Sequence, residues 1–287
     1  MRLRKLSYAG GAEITGVDLG KDLPQVVLDD IRSAWLEHLV LVFPEQEFTI
    51  EQHIRFSRQF GELEEHPLKN LQGTNYPEIF EITNEPVDGK PSETGEIGRQ
   101  WHSDGAYTTR PPTGSLLHCR ALPDVGGNTW FANMYMAYET LSPKLQELLA
   151  GLEVVNDVNL YYRRGNGSRS QGKVEEDSKA NPPVIQPMVR THPETGRKAL
   201  FVSEAVGVRI HGMTEEESAP LLQFLFRHST RPEFTYRHYW RRFDLVFWDN
   251  RCLQHLAPKD FDFSQVRHMC RTTLTGTPCG RVEAALG

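Results

Sequence analysis

DLVFWDNRCLQH, residues 244–255, joins a short apolar run to a polar turn and a closing histidine. The run Leu245–Trp248 has the length of a strand and is bounded by aspartates, which predicts a buried strand that ends shortly before His255. Short strand patterns dominate the second half of the chain, whereas helical patterns lie early or between strands. The sequence therefore predicts a mainly β fold, a double-sheet roll with helical insertions. No glycine-rich phosphate motif follows a predicted strand, so a doubly wound nucleotide fold is not indicated.

The helical insertions are recognisable from their apolar stripes and capping residues. Thr49 with Gln52, and Thr214 with Glu217, have the spacing of capping boxes at helix starts. The predicted helices lie within 23–38, 49–61, 142–151 and 214–228. Residues 163–183 carry almost no apolar side chain, which predicts a flexible, lid-like loop in a single domain.

The segment VRHMCRTTLTG, residues 266–276, places two arginines on one side of a predicted strand. In an extended chain Arg267, Met269 and Arg271 share one face, and His268 and Cys270 share the other. Two guanidinium groups on one face leave two readings open. Either that face is in solvent, or the arginines bind carboxylates, for which their forked geometry is suited.

WHSDG, residues 101–105, places an imidazole and a carboxylate on the same side of an extended segment. His102 and Asp104 could supply two of the three ligands of a facial triad that holds Fe(II). A single H-x-D pattern is more often a surface pair, so a third ligand from a distant strand is needed. His255 is the candidate, because it follows a buried strand. Three other histidines are expected to face solvent: His192, His211 and His228.

Composition narrows the classes of partner. The formal net charge of −6 and a pI near 6.0 argue against nucleic acid, which requires a basic face. The sequence has no apolar stretch of about 20 residues, so no membrane span is expected. The four cysteines form no C-x-x-C pair and are read as reduced thiols, which favours a cytoplasmic location.

Five segments in order carry a family resemblance: WHSD, GGNTWFANMYMAYETL, HPETGRKALFV, WDNRCLQH and VRHMCRTTLTG. Together they resemble the Fe(II)- and 2-oxoglutarate-dependent oxygenases of the taurine dioxygenase and dichlorophenoxyacetate dioxygenase family. The resemblance runs from about residue 10 to about residue 277. It implies one dioxygenase domain over residues 1–287, with a double-stranded β-helix, or jelly-roll, core.

The resemblance also implies a role for individual residues. The expected ligands of Fe(II) are His102, Asp104 and His255. The co-substrate 2-oxoglutarate would be bound by Thr129 and Arg267. The primary substrate would be bound by His66 and Arg271. The implied reaction consumes O2, converts 2-oxoglutarate to succinate and CO2, and hydroxylates the primary substrate.

Two positions depart from the taurine-using pattern. Lys69 stands where those enzymes have a tyrosine, and Gly98 stands where they have an asparagine. A lysine would repel the amine of taurine, so we expect a small organic anion without an amine: a sulfonate, a sulfate ester or an aryloxy or other carboxylate. We also expect a homo-oligomer, either a dimer or a tetramer.

The same three ligands could instead hold zinc for hydrolysis. Such a hydrolase would have no need of Arg267 or Thr129. The sequence alone therefore leaves a metal hydrolase as the alternative to an oxygenase.

Overall fold

The computed structural model describes residues 1–65, 76–86, 89, 92, 94–163, 175 and 179–283. His66, Lys69 and most of the predicted loop 163–183 lie outside the described residues. The structure gives bounds for six α-helices: α1 Gln25–His38, α2 Ile50–Arg58, α3 Met134–Glu139, α4 Pro143–Leu149, α5 Val158–Arg163 and α6 Glu215–Ser229. Pro232–Phe234 forms a short 3-10 helix. Within the described residues no helix is both long and apolar enough to cross a membrane.

The strands outnumber the helices, which confirms a mainly β class. Those of the first half are β1 Arg2–Lys5, β2 Ala12–Thr15, β3 Val40–Phe43, β4 Phe80–Thr83, β5 Gly114–Ala121, β6 Thr129–Asn133 and β7 Glu153–Asn156. Those of the second half are β8 Val184–Pro187, β9 Val189–Thr191, β10 Lys198–Leu200, β11 Gly207–Ile210, β12 Thr235–His238, β13 Leu245–Asp249, β14 Leu253–Leu256, β15 His268–Leu274 and β16 Arg281–Val282.

The strands form one large sheet and three smaller ones. The large sheet has the order β1-β2-β3-β13-β5-β15-β4, and a three-stranded sheet has the order β12-β6-β14. The remaining strands form the sheets β11-β7-β8-β16 and β10-β9. Among the described strand pairs, β2 with β3 is parallel and all others are antiparallel.

The large sheet is covered on both faces. On its inner face Trp248 of β13 packs against Phe131 of β6, with ring centroids 5.6 Å apart, so the three-stranded sheet closes over this side. On its outer face Phe247 of β13 stacks on Trp35 of α1 at 4.2 Å. The apolar run 245–248 is therefore buried on both faces, as a continuous rather than alternating apolar pattern predicts.

Strand β15 follows the predicted alternation. Met269 packs into the inner core, whereas Cys270 packs against Ile54 and Ile79 on the outer face, beneath α2. Arg271 lies on the inner side with Met269 and donates a hydrogen bond to Asp104. The alternative in which Arg267 and Arg271 face solvent is therefore wrong, because both side chains point into the protein.

The predicted capping boxes are present at α2 and α6. Thr49 and Thr214 each accept a hydrogen bond from the backbone N–H three residues on, and the side chain of that residue accepts a hydrogen bond from the backbone N–H of the cap. Helices α3 and α5 were not predicted, because each has only 6 residues and too few turns to show a helical period.

Candidate active site

The first and last predicted metal ligands meet through their backbones. His102 donates its N–H to the carbonyl of His255 at 3.1 Å, and His255 returns the bond at 2.7 Å. This isolated antiparallel bridge fixes the two residues opposite one another, although they are far apart in sequence. The imidazole rings consequently lie with their centroids 4.1 Å apart.

Asp104 completes a cluster of three donor groups. Its Oδ1 lies 3.9 Å from Nε2 of His102 and 3.8 Å from Nε2 of His255. The three residues each offer a ligand atom within 4.8 Å of the others. Two imidazole nitrogens and one carboxylate oxygen at this spacing fit a single divalent ion of the iron or manganese type, with the remaining coordination positions open.

The protonation states of the two histidines suit metal binding. Burial lowers the pKa of His102, and burial lowers the pKa of His255 to about 3, so both rings are neutral near pH 7. The Nδ1–H of His102 donates to the carbonyl of Gln100 at 2.7 Å, which leaves the lone pair on Nε2 facing Asp104.

A directional hydrogen-bond chain holds Asp104. The indole of Trp248 donates to Oδ1 of Asn250 at 2.9 Å, which fixes the orientation of that amide. Nδ2 of Asn250 then donates to Oγ of Ser115 at 3.0 Å, and Ser115 donates to Oδ2 of Asp104 at 2.7 Å. Oδ2 is thereby occupied, and Oδ1 is left facing both histidines. Sequence reasoning missed Ser115 and Asn250.

The charge of Asp104 is stabilised by its surroundings. Burial alone would raise the pKa of Asp104, but Arg271, the two histidines and Ser115 outweigh burial and lower it. Nη1 of Arg271 lies 2.9 Å from Oδ1, and its guanidinium carbon lies 5.0 Å from the centre of the Phe80 ring. Arg271 therefore presents a positive charge directly beside the triad.

Glu64 is a further acidic group in this region that the sequence analysis missed. Its backbone N–H donates to the carbonyl of Thr273 at 2.8 Å, which ties it to the end of β15. Burial raises the pKa of Glu64 to about 7; the charge of Arg271 opposes this rise and that of Asp104 adds to it. A carboxyl group that titrates near neutral pH thus lies next to the charged part of the site.

Arg267 is buried on the inner side of the fold. Its Nε donates to the carbonyl of Gly127 at 2.9 Å, and no carboxylate in the described part of the chain forms an ion pair with it. Burial, followed by the nearby charge of Arg99, lowers the pKa of Arg267 to about 10. Gly127 has φ +69°, and a Cβ there would lie 3.2 Å from Cδ of Arg267, so glycine permits this approach. A buried cation of this kind fits an incoming carboxylate.

Thr129 lies on the same face of β6 as Phe131, whose cross-strand partner on β14 is His255. Its Oγ1 accepts a hydrogen bond from the indole of Trp240 at 3.0 Å. Because an indole only donates, the hydroxyl proton of Thr129 stays free to donate to another acceptor. Trp240 is another residue of this region that the sequence analysis did not single out.

The histidines expected in solvent behave differently from one another. His211 is exposed, but His192 and His228 are buried, so the prediction is wrong for both. His192 lies 3.0 Å from Asp249, near Cys252. That cluster is already neutralised, since Arg251 donates twice to the same carboxylate.

These features define a class of protein: a mainly β fold in which two histidines and one carboxylate converge in an arrangement able to hold a metal ion, with an arginine beside the carboxylate. The model of the family described as "Taurine catabolism dioxygenase TauD, TfdA family" matches residues 2–273. The chain therefore belongs to this family, and it is a 2-oxoglutarate-dependent dioxygenase. The family resemblance predicted from the sequence is confirmed, and family membership gives no support to the zinc hydrolase alternative.

Three comparisons illustrate the relationship. The chain is 33% identical over 287 residues to the (S)-phenoxypropionate/alpha-ketoglutarate-dioxygenase of Sphingobium herbicidovorans, covering 96% of this chain and 95% of that protein. It is 32% identical over 272 residues to the alpha-ketoglutarate-dependent sulfate ester dioxygenase of Pseudomonas putida, covering 93% and 86%. The crystal structure of AAD-2 in complex with Mn(II) and N-oxalylglycine matches with a TM-score of 0.87 and 32% identity, covering 97% and 98%.

Proposed function

We propose that the chain binds Fe(II) through His102, Asp104 and His255 and hydroxylates a small organic anion. The convergence of His102, Asp104 and His255 into one cluster of donor atoms carries this proposal. A ferrous ion held there supplies the redox chemistry by which O2 and 2-oxoglutarate are consumed. The protein's own part is to present two neutral imidazoles and one fixed carboxylate oxygen.

The co-substrate 2-oxoglutarate is assigned to Arg267 and Thr129. Arg267 is a buried guanidinium without a carboxylate partner in the described residues, and the distal carboxylate of a keto diacid would neutralise it. Thr129 has a free hydroxyl proton, because Trp240 occupies its acceptor side. The two groups together would hold the distal carboxylate of 2-oxoglutarate.

The primary substrate is assigned to Arg271, with His66 as the second expected contact. Arg271 lies beside Asp104, so an anion bound to its guanidinium would place the adjacent carbons next to the metal site. The family comparison supports aryloxy carboxylates and sulfate esters, since relatives are named for phenoxypropionate and for sulfate esters. A sulfonate is the third class that the same guanidinium would accept.

Gly98 supports a substrate without an amine. A Cβ built at this position would lie 3.4 Å from Cε1 and 4.0 Å from Nε2 of His102. A side chain at position 98 would therefore contact the imidazole ring of His102. Glycine provides no group at this position to bind an ammonium.

The remaining expectations concern the domain, the cellular location and the assembly of the chain. We propose a single dioxygenase domain over residues 1–287 with a double-stranded β-helix core, which the packing of the three-stranded sheet on the large sheet supports. A cytoplasmic location is supported by four cysteines that form no disulfide. Assembly into a dimer or tetramer remains part of the proposal.

The test begins with a screen for stimulated turnover of 2-oxoglutarate. Purified protein with Fe(II), O2 and 2-oxoglutarate is offered aryloxy carboxylates, sulfate esters and alkyl sulfonates, and succinate is measured. With the best substrate, Arg267→Ala should raise the KM for 2-oxoglutarate more than the KM for the substrate, and Arg271→Ala should do the reverse. Loss of a charged hydrogen-bonding partner predicts changes of about 10- to 100-fold.

The control is Arg197→Ala, since Arg197 pairs with Glu139 away from the site. Both Michaelis constants should stay at the parental values in this variant. Equal changes of both constants in Arg267→Ala and Arg271→Ala would contradict the two assignments. Failure of all three substrate classes to stimulate succinate formation would contradict the proposed substrate class.

A further inference from the structure

A second group of metal-ligating side chains lies on the opposite face of the large sheet from the triad. Glu81 of β4 and Cys270 of β15 are directly opposite one another in the strand register. His268 precedes Cys270 by two residues and so points to the same, outer face. A carboxylate, an imidazole and a thiol each offer a ligand atom here within 4.8 Å of the others.

The distances between these donor atoms suit a small divalent ion. Nε2 of His268 lies 3.8 Å from Oε2 of Glu81 and 3.9 Å from Sγ of Cys270. Neighbouring ligands of a tetrahedral zinc ion, with bonds of about 2.0–2.3 Å, are separated by only slightly less than this. Small movements of the side chains would therefore bring all three into contact with one ion.

Two further observations point to a ligand. Oε2 of Glu81 is buried and has no hydrogen-bond partner in the described part of the chain. Nδ1 of His268 lies 3.1 Å from Oε2 of Glu85, which holds the ring so that the Nε2 lone pair faces Glu81 and Cys270. A carboxylate behind a ligating histidine is the usual arrangement of metal sites.

The charges also balance when an ion is present. Burial raises the pKa of Glu81, and burial raises the pKa of Cys270 to about 11; in both cases the nearby charge of Arg120 opposes the rise. With a divalent ion the cluster would hold three negative groups, namely Glu81, Glu85 and the Cys270 thiolate. These are matched by the two charges of the ion and the one of Arg120, so no buried charge is left uncompensated.

We propose that Glu81, His268 and Cys270 form a zinc site on the outer face of the large sheet, with the fourth position filled by solvent. Mixed sulfur, nitrogen and oxygen ligands favour Zn²⁺ over Mg²⁺ or Ca²⁺. His268 is partly exposed and provides the route for entry of the ion. Bound zinc joins the edge strand β4 to β15, the strand that carries Arg271.

The test uses the full-length His102→Ala/His255→Ala variant, in which the triad cannot bind metal. Titration with Co²⁺ should give one equivalent of bound ion and a near-ultraviolet thiolate-to-cobalt charge-transfer band, and Zn²⁺ should displace the Co²⁺. Adding Cys270→Ser should abolish the band. Adding Glu85→Gln should weaken Zn²⁺ binding about tenfold, as the loss of an orienting partner does.

Cys252→Ser is the matched control, because Cys252 belongs to the other buried cluster of possible ligands. The band should persist in that variant. A folded triad-free protein that shows no thiolate band would overturn the proposal, as would a band that survives Cys270→Ser. Should Cys270→Ser fail to fold, His268→Gln provides the same test: retention of parental Zn²⁺ affinity in it would also overturn the site. None of these outcomes depends on oxygenase activity.

Discussion

Ser115→Ala removes the hydroxyl that donates to Oδ2 of Asp104. In the parent protein Ser115 donates to Oδ2 at 2.7 Å while Oδ1 faces the two histidines. Without this bond the carboxylate can rotate about its Cβ–Cγ bond, and Arg271, already 2.9 Å from Oδ1, becomes its main partner. We expect the variant to fold and to bind a divalent metal more weakly.

The expected size of the effect follows from the nature of the lost bond. A hydrogen bond to a charged group contributes about 1.5–3 kcal/mol when both partners are buried. At about 1.4 kcal/mol for each factor of ten, this corresponds to a 10- to 100-fold increase in the dissociation constant. Loss of a residue that hydrogen-bonds to a metal ligand changes metal affinity by the same amount.

The assay is calorimetric titration of the metal-free protein with Mn²⁺, which avoids oxidation of the ion. Ser115→Thr keeps the hydroxyl and should retain most of the affinity, because a β-branched residue fits a strand. Asn250→Asp should weaken binding as well, since a carboxylate cannot donate to Ser115 and would compete with Asp104 for its proton. Ser57→Ala is the matched control: Ser57 is equally buried but bonds to Thr272 and to the carbonyl of His53.

A dissociation constant for Ser115→Ala within twofold of the parent would refute the reasoning. The same conclusion would follow if Ser57→Ala weakened metal binding as much as Ser115→Ala does. Equal affinities for Ser115→Thr and Ser115→Ala would show that the hydroxyl is not the group that matters.

Two further predictions concern stability. Burial lowers the pKa of His118 to about 4, so the folded protein keeps this ring neutral while the unfolded chain takes up a proton near pH 6.5. The free energy of unfolding should therefore fall between pH 6.5 and 4, and His118→Gln should reduce that fall by about 2–3 kcal/mol in urea titrations; an unchanged fall would contradict this. Gly276→Ala should destabilise the protein by about 2–3 kcal/mol, because a Cβ there would lie 1.8 Å from the carbonyl oxygen of Pro111. Gly151→Ala, where the described residues other than its chain neighbours leave the space within 4 Å of the new Cβ empty, should change stability by less than about 0.5 kcal/mol, and similar losses in both variants would contradict the steric argument.

Local rules were sufficient for the parts of the site that lie on one strand. Alternation in β15 correctly separates Met269 and Arg271 from Cys270, because successive side chains of a strand point to opposite faces. Capping-box spacing likewise finds the starts of α2 and α6. In both cases the residues that interact are at most four positions apart, so the chain itself fixes their geometry.

Contacts between distant strands could not be predicted in this way. Ser115 contacts Asp104 only because the fold brings β5 next to the 101–105 turn. No spacing of residues in the sequence predicts this contact. The errors at His192 and His228 have the same origin. His192 lies in a turn-like sequence and His228 at the end of a helix, yet each is buried against an acceptor from elsewhere, Asp249 and the carbonyl of Ala137 respectively.

The register of β15 determines which of its side chains lie on each face of the large sheet. A slip of one residue would turn Arg271 to the outer face and bring Cys270 towards the triad. The register of β15 is held on one side by β4 and on the other by β5. Its pairing with β5 shifts between His268 and Met269, so that Arg120 of β5 is skipped in this strand pair. A zinc ion between β4 and β15 would oppose such a slip, because its ligands are opposed across that strand pair. The outer cluster would then stabilise the arrangement by which the inner face holds its arginine beside Asp104.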